Sequence, residues 1–284
     1  MFITGAASGL GLELCAQLAP EGWTIGMADL RGEMLEKAVA EIGNRGATVH
    51  PYVFDVTSRP AFQQAVDAFA ETAGGLDLFV NNAGVAGGGP MGEYALEDWD
   101  WLLGINLMGV VNGCHFAVPH MKRQQGGHLI NIASAAAFVP VPGMAAYCAA
   151  KAGVKMVSEV LFNELHDDNV RVSVAMPEFF RTNLHERTRG PLADEARFLI
   201  TQSPYTAEEV AIAILEGAAA GHLHIVFGRE AHLLWRWLRW LPMRTMAKIR
   251  TVRKQREEKL RRRVARMVLE EQQREASSVE QRSD

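Results

Sequence analysis

The sequence predicts an α/β protein built on a doubly wound parallel sheet, and three observations predict it. Seven short β-rich runs alternate with longer stretches of helical spacing, the pattern of a parallel sheet covered on both faces. A glycine-rich turn, Thr4-Gly5-Ala6-Ala7-Ser8-Gly9-Leu10-Gly11, follows the first run and opens an apolar helical stretch, Leu10 to Leu18. Finally, Gly5, Asp29, Asp55, Asn81 and Ser134 all fall at or just after the ends of runs. Right-handed crossovers bring those ends to one edge, where open parallel sheets bind ligands.

The expected strands are Met1–Thr4, Trp23–Ala28, Ala47–Phe54, Leu76–Asn81, His128–Ala133, Val170–Met176 and His222–Phe227. The first is shorter than an average strand of about five or six residues, so either it is trimmed or the true start lies upstream. Between strands, Ala61 to Ala73 carries Phe62, Val66 and Phe69 on one helical stripe. Longer helices are expected near Glu97–Lys122 and Ala146–His166, and Val154, Val157 and Leu161 form an apolar stripe on the latter, either a seam between subunits or a cover for the sheet of its own subunit. Ala86-Gly87-Gly88-Gly89-Pro90 reads as a loop, with Gly87 to Gly89 a flexible connector. Thr206-Ala207-Glu208-Glu209 before an apolar stretch reads as a capped helix start.

The glycine turn makes this sheet Rossmann-type. Glycines suit a tight strand-to-helix turn and let backbone N–H groups approach a phosphate, which the helix N-terminus also favours. Asp29 closes the second run about twenty residues on, where a carboxylate bonds the adenosine ribose of NAD. A second constellation carries chemistry. Tyr147 and Lys151, four apart, share one helix face, and Ser134 lies thirteen residues upstream of Tyr147. A neighbouring ammonium favours phenolate, so Lys151 is expected to lower the Tyr147 pKa and make it a general acid or base. Ser134 could then polarise a carbonyl oxygen. Ala135 to Val139 would sit near a substrate, with Phe179, Phe180 and Leu184 opposite, an apolar pocket with few polar groups.

These motifs, in this order, resemble the short-chain dehydrogenase/reductase family in its classical form, over residues 1–228. The resemblance implies that Gly5, Ser8, Gly9, Leu10 and Gly11 hold the cofactor phosphates. It also implies that the Asp55-Val56 pair contacts adenine, and that Asn82, Ala83 and Gly84, following Asn81, belong to the cofactor site. Asn106 matches the family's active-site asparagine, which implies a water continuing a proton relay from Lys151. Ser134, Tyr147 and Lys151 complete a tetrad in which Lys151 also bonds the nicotinamide ribose. The segment Pro177 through Thr182, with Phe180 inside it, matches the family segment whose threonine approaches the nicotinamide carboxamide or the pyrophosphate. One departure stands out: Glu178 occupies the position after the proline where the family usually has glycine. NADP-using relatives often carry a basic residue before the second glycine. Ser8 stands there instead, so Asp29 implies NAD, with Arg31 nearby as the contrary signal.

The 284 residues are 48% hydrophobic and 22% charged, ample for a core, with a net charge of −4 that gives no reason to expect nucleic acid. Charge is uneven: residues 1–228 hold 13 Lys+Arg and 25 Asp+Glu, whereas residues 229–284 hold 16 and 8. The expected division is therefore a catalytic domain, residues 1–228, and a C-terminal helical extension, residues 229–284, Trp/Arg-rich and then basic. Cys15, Cys114 and Cys148 fit neither a disulfide framework nor a metal site, and the histidines lack ligand spacing. Cys148 beside Tyr147 reads as a small buried filler. A reducing cytoplasm is the expected compartment. No cationic stretch precedes the first apolar residues, against a signal peptide, and no run of eighteen uncharged apolar residues is present.

The function expected is an NAD(H)-dependent oxidoreductase interconverting a hydrophobic secondary alcohol and its ketone, as a homodimer or homotetramer. The alternatives are a non-catalytic NAD-binding regulator, or a lyase or epimerase using bound NAD. In the extension, Leu234, Trp237, Leu238 and Leu241 fall on one helical face with Arg236 and Arg239 toward the other, and Pro242 ends or kinks the helix. Beyond it Ile249, Val252, Leu260 and Val264 form a thin apolar stripe in a basic segment. The favoured expectation is a cover over the protein's own pocket or a neighbouring subunit; weak contact with a membrane surface is the alternative.

Overall fold

A computed structural model of the chain describes residues 1–182, 184, 188–192, 198, 200–246, 248, 249 and 251. It divides into two compact units, Met1–Leu233 and Leu234–Asp284. The first contains the strands β1 (Phe2–Thr4), β2 (Thr24–Asp29), β3 (Thr48–Val53), β4 (Leu78–Asn81), β5 (Gly127–Ile132), β6 (Val170–Pro177) and β7 (His224–Phe227). All pair in parallel, in the order β3-β2-β1-β4-β5-β6-β7. Strand order reverses between β1 and β4, the switch point at which a crevice opens beyond the strand ends.

Alternation along each strand assigns its side chains to two cores. Ile3, Val80 and Ile130 point to the face covered by α1 (Gly9–Leu18), α2 (Gly32–Gly43) and α7 (Ala207–Ala219), meeting Leu10, Leu14, Leu35 and Ile214. Their neighbours Phe2, Phe79 and Leu129 point to the other face, meeting Phe62 and Phe69 of α3 (Arg59–Ala73) and Ala117 and Met121 of α5 (Gly109–Arg123). Phe2 and Phe79, partners across β1 and β4, stack with centroids 5.4 Å apart. The predicted Phe62/Val66/Phe69 stripe is this buried face of α3.

Strand ends differ from the sequence expectation by one or two residues, most at β4 and β7, which begin at Leu78 and His224. The predicted helix Glu97–Lys122 is α4 (Leu96–Leu103), a π-helical turn at Gly104–Met108, and α5. Together they run 28 residues, and the most apolar 18-residue stretch among them has mean hydropathy 1.4. Their apolar side chains Leu102, Val110, Ala117 and Met121 are buried in the fold, so this is a core helix. The helix α6 spans Ala145–Glu164, and its stripe faces inward: Val154 is fully buried and Leu161 packs on the aromatic core. The apolar residues α6 leaves exposed are Met156, Val160 and Phe162. The stripe that sequence periodicity offered as a subunit seam therefore covers the protein's own sheet. Thr206 and Glu209 form the expected capping box at α7, Glu209 N–H donating to Thr206 Oγ1 (3.1 Å) and Thr206 N–H to Glu209 Oε2 (2.8 Å).

The helix α8 (Arg229–Trp240) begins in the first unit and continues into the second. The helix ends at Trp240, with Leu241 N–H donating to Trp237 O (2.8 Å), and helical bonding resumes after the break with Thr245 N–H donating to Leu241 O (3.0 Å), so the interruption falls at the expected proline. The predicted face divides: Leu234 and Leu238 are half-buried, whereas Trp237 is exposed. Val252, Leu260 and Val264 of the basic stripe lie outside the described residues.

Candidate active site

The crevice begins with the glycine turn. Gly5 and Gly9 have φ of +66° and +55°, the left-handed region that glycine enters without strain. A Cβ on Gly11 would lie 2.2 Å from Gly5 O, so the turn closes only without one. Thr4 Oγ1 accepts the N–H groups of Asn82 (3.1 Å) and Ala83 (3.0 Å), and Asn82 Nδ2 donates to Thr4 O (2.9 Å) and Gly5 O (3.0 Å). These bonds stitch the loop after β4 to the end of β1 across the switch point. Ser8 stands at the N-cap of α1 without capping it; its hydroxyl instead accepts from Arg31 Nη2 (2.8 Å). Among the described residues no side chain accepts from the first-turn N–H groups of α1, an arrangement that suits a phosphate. The residues present fit a dinucleotide on this ground.

Asp29 ends β2, buried. Its Oδ2 accepts Ala7 N–H (3.1 Å) and its Oδ1 accepts Arg31 N–H (3.0 Å), while the Arg31 guanidinium bridges both oxygens at 3.0 and 3.2 Å. The ribose edge thus carries a paired anion and cation, not a lone carboxylate. Asp55 Oδ1 accepts the Thr57 N–H and hydroxyl, both at 2.8 Å, and Val56 O accepts Asn112 Nδ2 (3.0 Å), fixing the Asp55-Val56 loop against α5.

Asn106, fully buried in the π-helical turn, spends its amide on one partner. Its Oδ1 accepts Val85 N–H and its Nδ2 donates to Val85 O, both at 2.8 Å. The side chain is thereby a clamp on the loop after Gly84. Gly84 lies against it: a Cβ there would be 2.9 Å from Asn106 Oδ1 and 3.7 Å from Lys151 Nζ.

Ser134 follows β5 and caps the short turn Ala135–Ala137, its Oγ accepting Ala136 N–H (3.2 Å). Tyr147 and Lys151 occupy successive turns of α6, both buried, as the spacing predicts. Lys151 Nζ donates to Ile132 O (2.9 Å) and lies 5.8 Å from the Tyr147 ring centre. Electrostatics differ from expectation. Burial pushes the Tyr147 phenol up to about 12, only partly offset by a hydrogen bond with Ser134, and pushes Lys151 down to about 8. Desolvation outweighs the neighbouring cation because the Lys151 ammonium turns to the Ile132 carbonyl. In this geometry Tyr147 is a protonated phenol at neutral pH. Cys148 is half-buried with its thiol pushed up by burial, in keeping with a filler.

The wall around Tyr147 is apolar. Val85, Tyr94, Leu102 and Met144 pack with it, and Ala136, Val141 and Trp101 line the cluster's edge. Of the expected pocket residues, Ala136 joins this cluster, Phe179 is exposed, and the Phe180 ring packs on the core beneath α1 and α7. The Gly87–Gly89 connector is a structural seam: Gly88 N–H donates to Arg189 O (3.1 Å), Gly89 N–H to Gly143 O (2.8 Å) and Arg189 N–H to Ala86 O (3.2 Å). The Arg189 guanidinium stacks 4.0 Å from the Trp101 ring centre and reaches Asp98 at 3.4 Å. Sequence reading missed Arg189 and Trp101; no spacing rule links residues so far apart.

Pro177 ends β6, and the segment after it is pinned by Arg181 N–H donating to Tyr205 O (3.0 Å) and Ser203 Oγ to Phe179 O (2.5 Å). Thr182 follows. Glu178 turns away from solvent and toward α8. Its Oε2 accepts Ala231 N–H (3.2 Å), capping that helix, and a Cβ on Gly228 (φ +105°) would lie 2.2 Å from the same oxygen. No group of three or more His, Cys, Asp or Glu among the described residues could hold a metal.

The family model for short chain dehydrogenases matches residues 1–192. The Probable oxidoreductase EphD of Mycobacterium tuberculosis is 33% identical over 268 residues, 88% of this chain but 45% of that protein, so the chain spans under half its length. D-threitol dehydrogenase of Mycolicibacterium smegmatis is 37% identical over 213 residues, 74% of this chain and 82% of that one. Among solved structures, a short chain dehydrogenase/reductase from Burkholderia phymatum in complex with NAD superposes with a TM-score of 0.76 at 29% identity, covering 79% of this chain and 87% of the other.

Proposed function

This chain belongs to the short-chain dehydrogenase family, and from that membership we propose an NAD(H)-dependent oxidoreductase that interconverts a hydrophobic secondary alcohol and its ketone. The observation that carries the reading is the meeting of Ser134, Tyr147 and Lys151 at the edge holding the glycine turn, inside an apolar wall. A nicotinamide cofactor supplies hydride chemistry; the residues supply position and protons. Gly5, Ser8, Gly9, Leu10 and Gly11 would hold its phosphates, Asp29 its adenosine ribose, Asp55 and Val56 its adenine. Asn82, Ala83, Gly84, Pro177 and Thr182 would line the remainder, and Lys151 would reach the second ribose. Ser134 orients the substrate oxygen. Tyr147, protonated at neutral pH, donates its proton to that oxygen in reduction and is left as phenolate; in oxidation it is the phenolate that takes the proton of the alcohol.

Asp29 supports NAD over NADP, because a 2′-phosphate would meet its carboxylate. Arg31 makes that preference modest, since its guanidinium already neutralises the anion. The exposed residues Met156 and Val160, one turn apart on α6, support a homodimer or homotetramer; a monomeric mass by light scattering would refute it. Three free thiols suit the cytoplasm. The decisive assay follows NADH absorbance over a panel of alcohols and ketones graded in hydrophobicity. Turnover that rises with apolar size is expected. Absence of turnover with every member would sink the proposal.

A further inference from the structure

The reaction leaves one surface unused. On α8, Leu233, Trp237 and Trp240 stand at i, i+4 and i+7, one helical face, and are 58%, 55% and 83% exposed. Met243 (76%) and Met246 (43%) add exposed apolar side chains beyond Pro242. This is a different face from the one periodicity alone picks out, because Leu234 and Leu238 are half-buried. The charge around it is mainly of one sign, with Glu230 in the first turn of the helix as the acidic exception. Between Ala231 and Thr251 the chain carries Arg236, Arg239, Arg244, Lys248 and Arg250 and no Asp or Glu. Arg239 lies over the Trp235 ring at 4.2 Å, so that cation rides on an aromatic face of the same helix.

We propose that α8 and the turn after it dock on an anionic lipid surface, with Leu233, Trp237 and Trp240 at headgroup depth and the flanking arginines and Lys248 against lipid phosphates. Tryptophan has an apolar body and a polar N–H, which suits that interface, and aliphatic side chains beside it gain by leaving water. Basic residues add attraction within a Debye length of the surface. Charge decides between occupants. A second copy seated on the same face would set cation against cation, since a two-fold contact pairs a patch with itself. A nucleic acid would satisfy the cations but give exposed Leu233, Met243 and Met246 nothing apolar to cover them. This surface concerns where the protein works and holds whichever substrate it takes.

The test uses the full-length protein with vesicles of phosphatidylcholine alone or mixed with phosphatidylglycerol, read by co-sedimentation and tryptophan emission. Binding is expected to the mixed vesicles, with a blue shift, and to weaken with salt. The pair Trp237→Ala and Trp240→Ala should lower partitioning at least about tenfold. The pair Arg236→Gln and Arg244→Gln should remove about two fifths of the salt dependence, two of the five basic residues being lost, and leave NADH oxidation with a water-soluble substrate unchanged. Absence of binding to mixed vesicles overturns the proposal, as do equal binding to phosphatidylcholine alone and binding that the tryptophan pair leaves intact. A lipid-free dimer that the tryptophan pair splits assigns the face to a second copy and also overturns it.

Discussion

Replacing Asn106 with alanine should weaken the whole domain, not only the reaction. Asn106 is fully buried, and Val85 is 3% exposed. The amide supplies both a donor and an acceptor to the Val85 backbone at 2.8 Å. Asn106→Ala strands the Val85 N–H and C=O where water does not reach. Each such group costs about 1–3 kcal/mol, so the pair costs about 2–6 kcal/mol. Against a total on the order of 5–15 kcal/mol, that is a large share. The loss should appear as a lower urea midpoint with an unchanged slope, because native and unfolded surfaces hardly change. Turnover should fall alongside, because the freed segment carries Gly84, which sits between Asn106 and Lys151. Wild-type stability in Asn106→Ala would refute the clamp. Full stability with lost turnover would move Asn106 from holding the loop to carrying protons.

Tyr147→Phe keeps the ring and removes the phenol proton, so turnover should fall at least about a hundredfold with NADH affinity nearly unchanged by fluorescence titration; wild-type turnover would remove Tyr147 from the mechanism. Arg31→Ala should widen the NADH-over-NADPH preference and Asp29→Ala should narrow it, measured as the ratio of kcat/KM values; opposite signs would reverse the assignment of the ribose edge. Burial, with Arg171 nearby, holds His128 neutral down to about 4, below its ordinary 6.5. The unfolded chain therefore binds this proton first, so the stability His128 contributes is complete above 6.5 and is lost as pH falls toward 4. The loss is on the order of 3 kcal/mol at most, and His128→Gln should flatten denaturant midpoints measured across that window; an unchanged slope would show that other groups cause it.

Much of the fold is written in local pattern. Alternation marks the strands, Phe62/Val66/Phe69 the inner face of α3, and Thr206 with Glu209 the start of α7. The glycine turn and the Tyr147/Lys151 pair are legible because backbone geometry and helix pitch act over a few residues. What is not legible depends on distant partners. No residue type announces the π-helical turn that carries Asn106 to Val85. Periodicity gives the Val154/Leu161 stripe but not its direction, which the aromatic core sets. The Tyr147 pKa follows from how deeply α6 is buried and from where the Lys151 ammonium turns, both tertiary facts.

Glu178 and Gly228 constrain how this sequence can change with descent. The carboxylate fills the space that any larger residue at 228 would need, and the positive φ of Gly228 already restricts that position. Glutamate at 178, as placed here, therefore requires glycine at 228. Once both are present the two positions are no longer independent. Glu178→Gly is an open step that costs a helix cap, whereas Gly228→Ala is closed until position 178 has first been emptied. Relatives with glutamate after this proline should thus carry glycine where the last strand meets the helix.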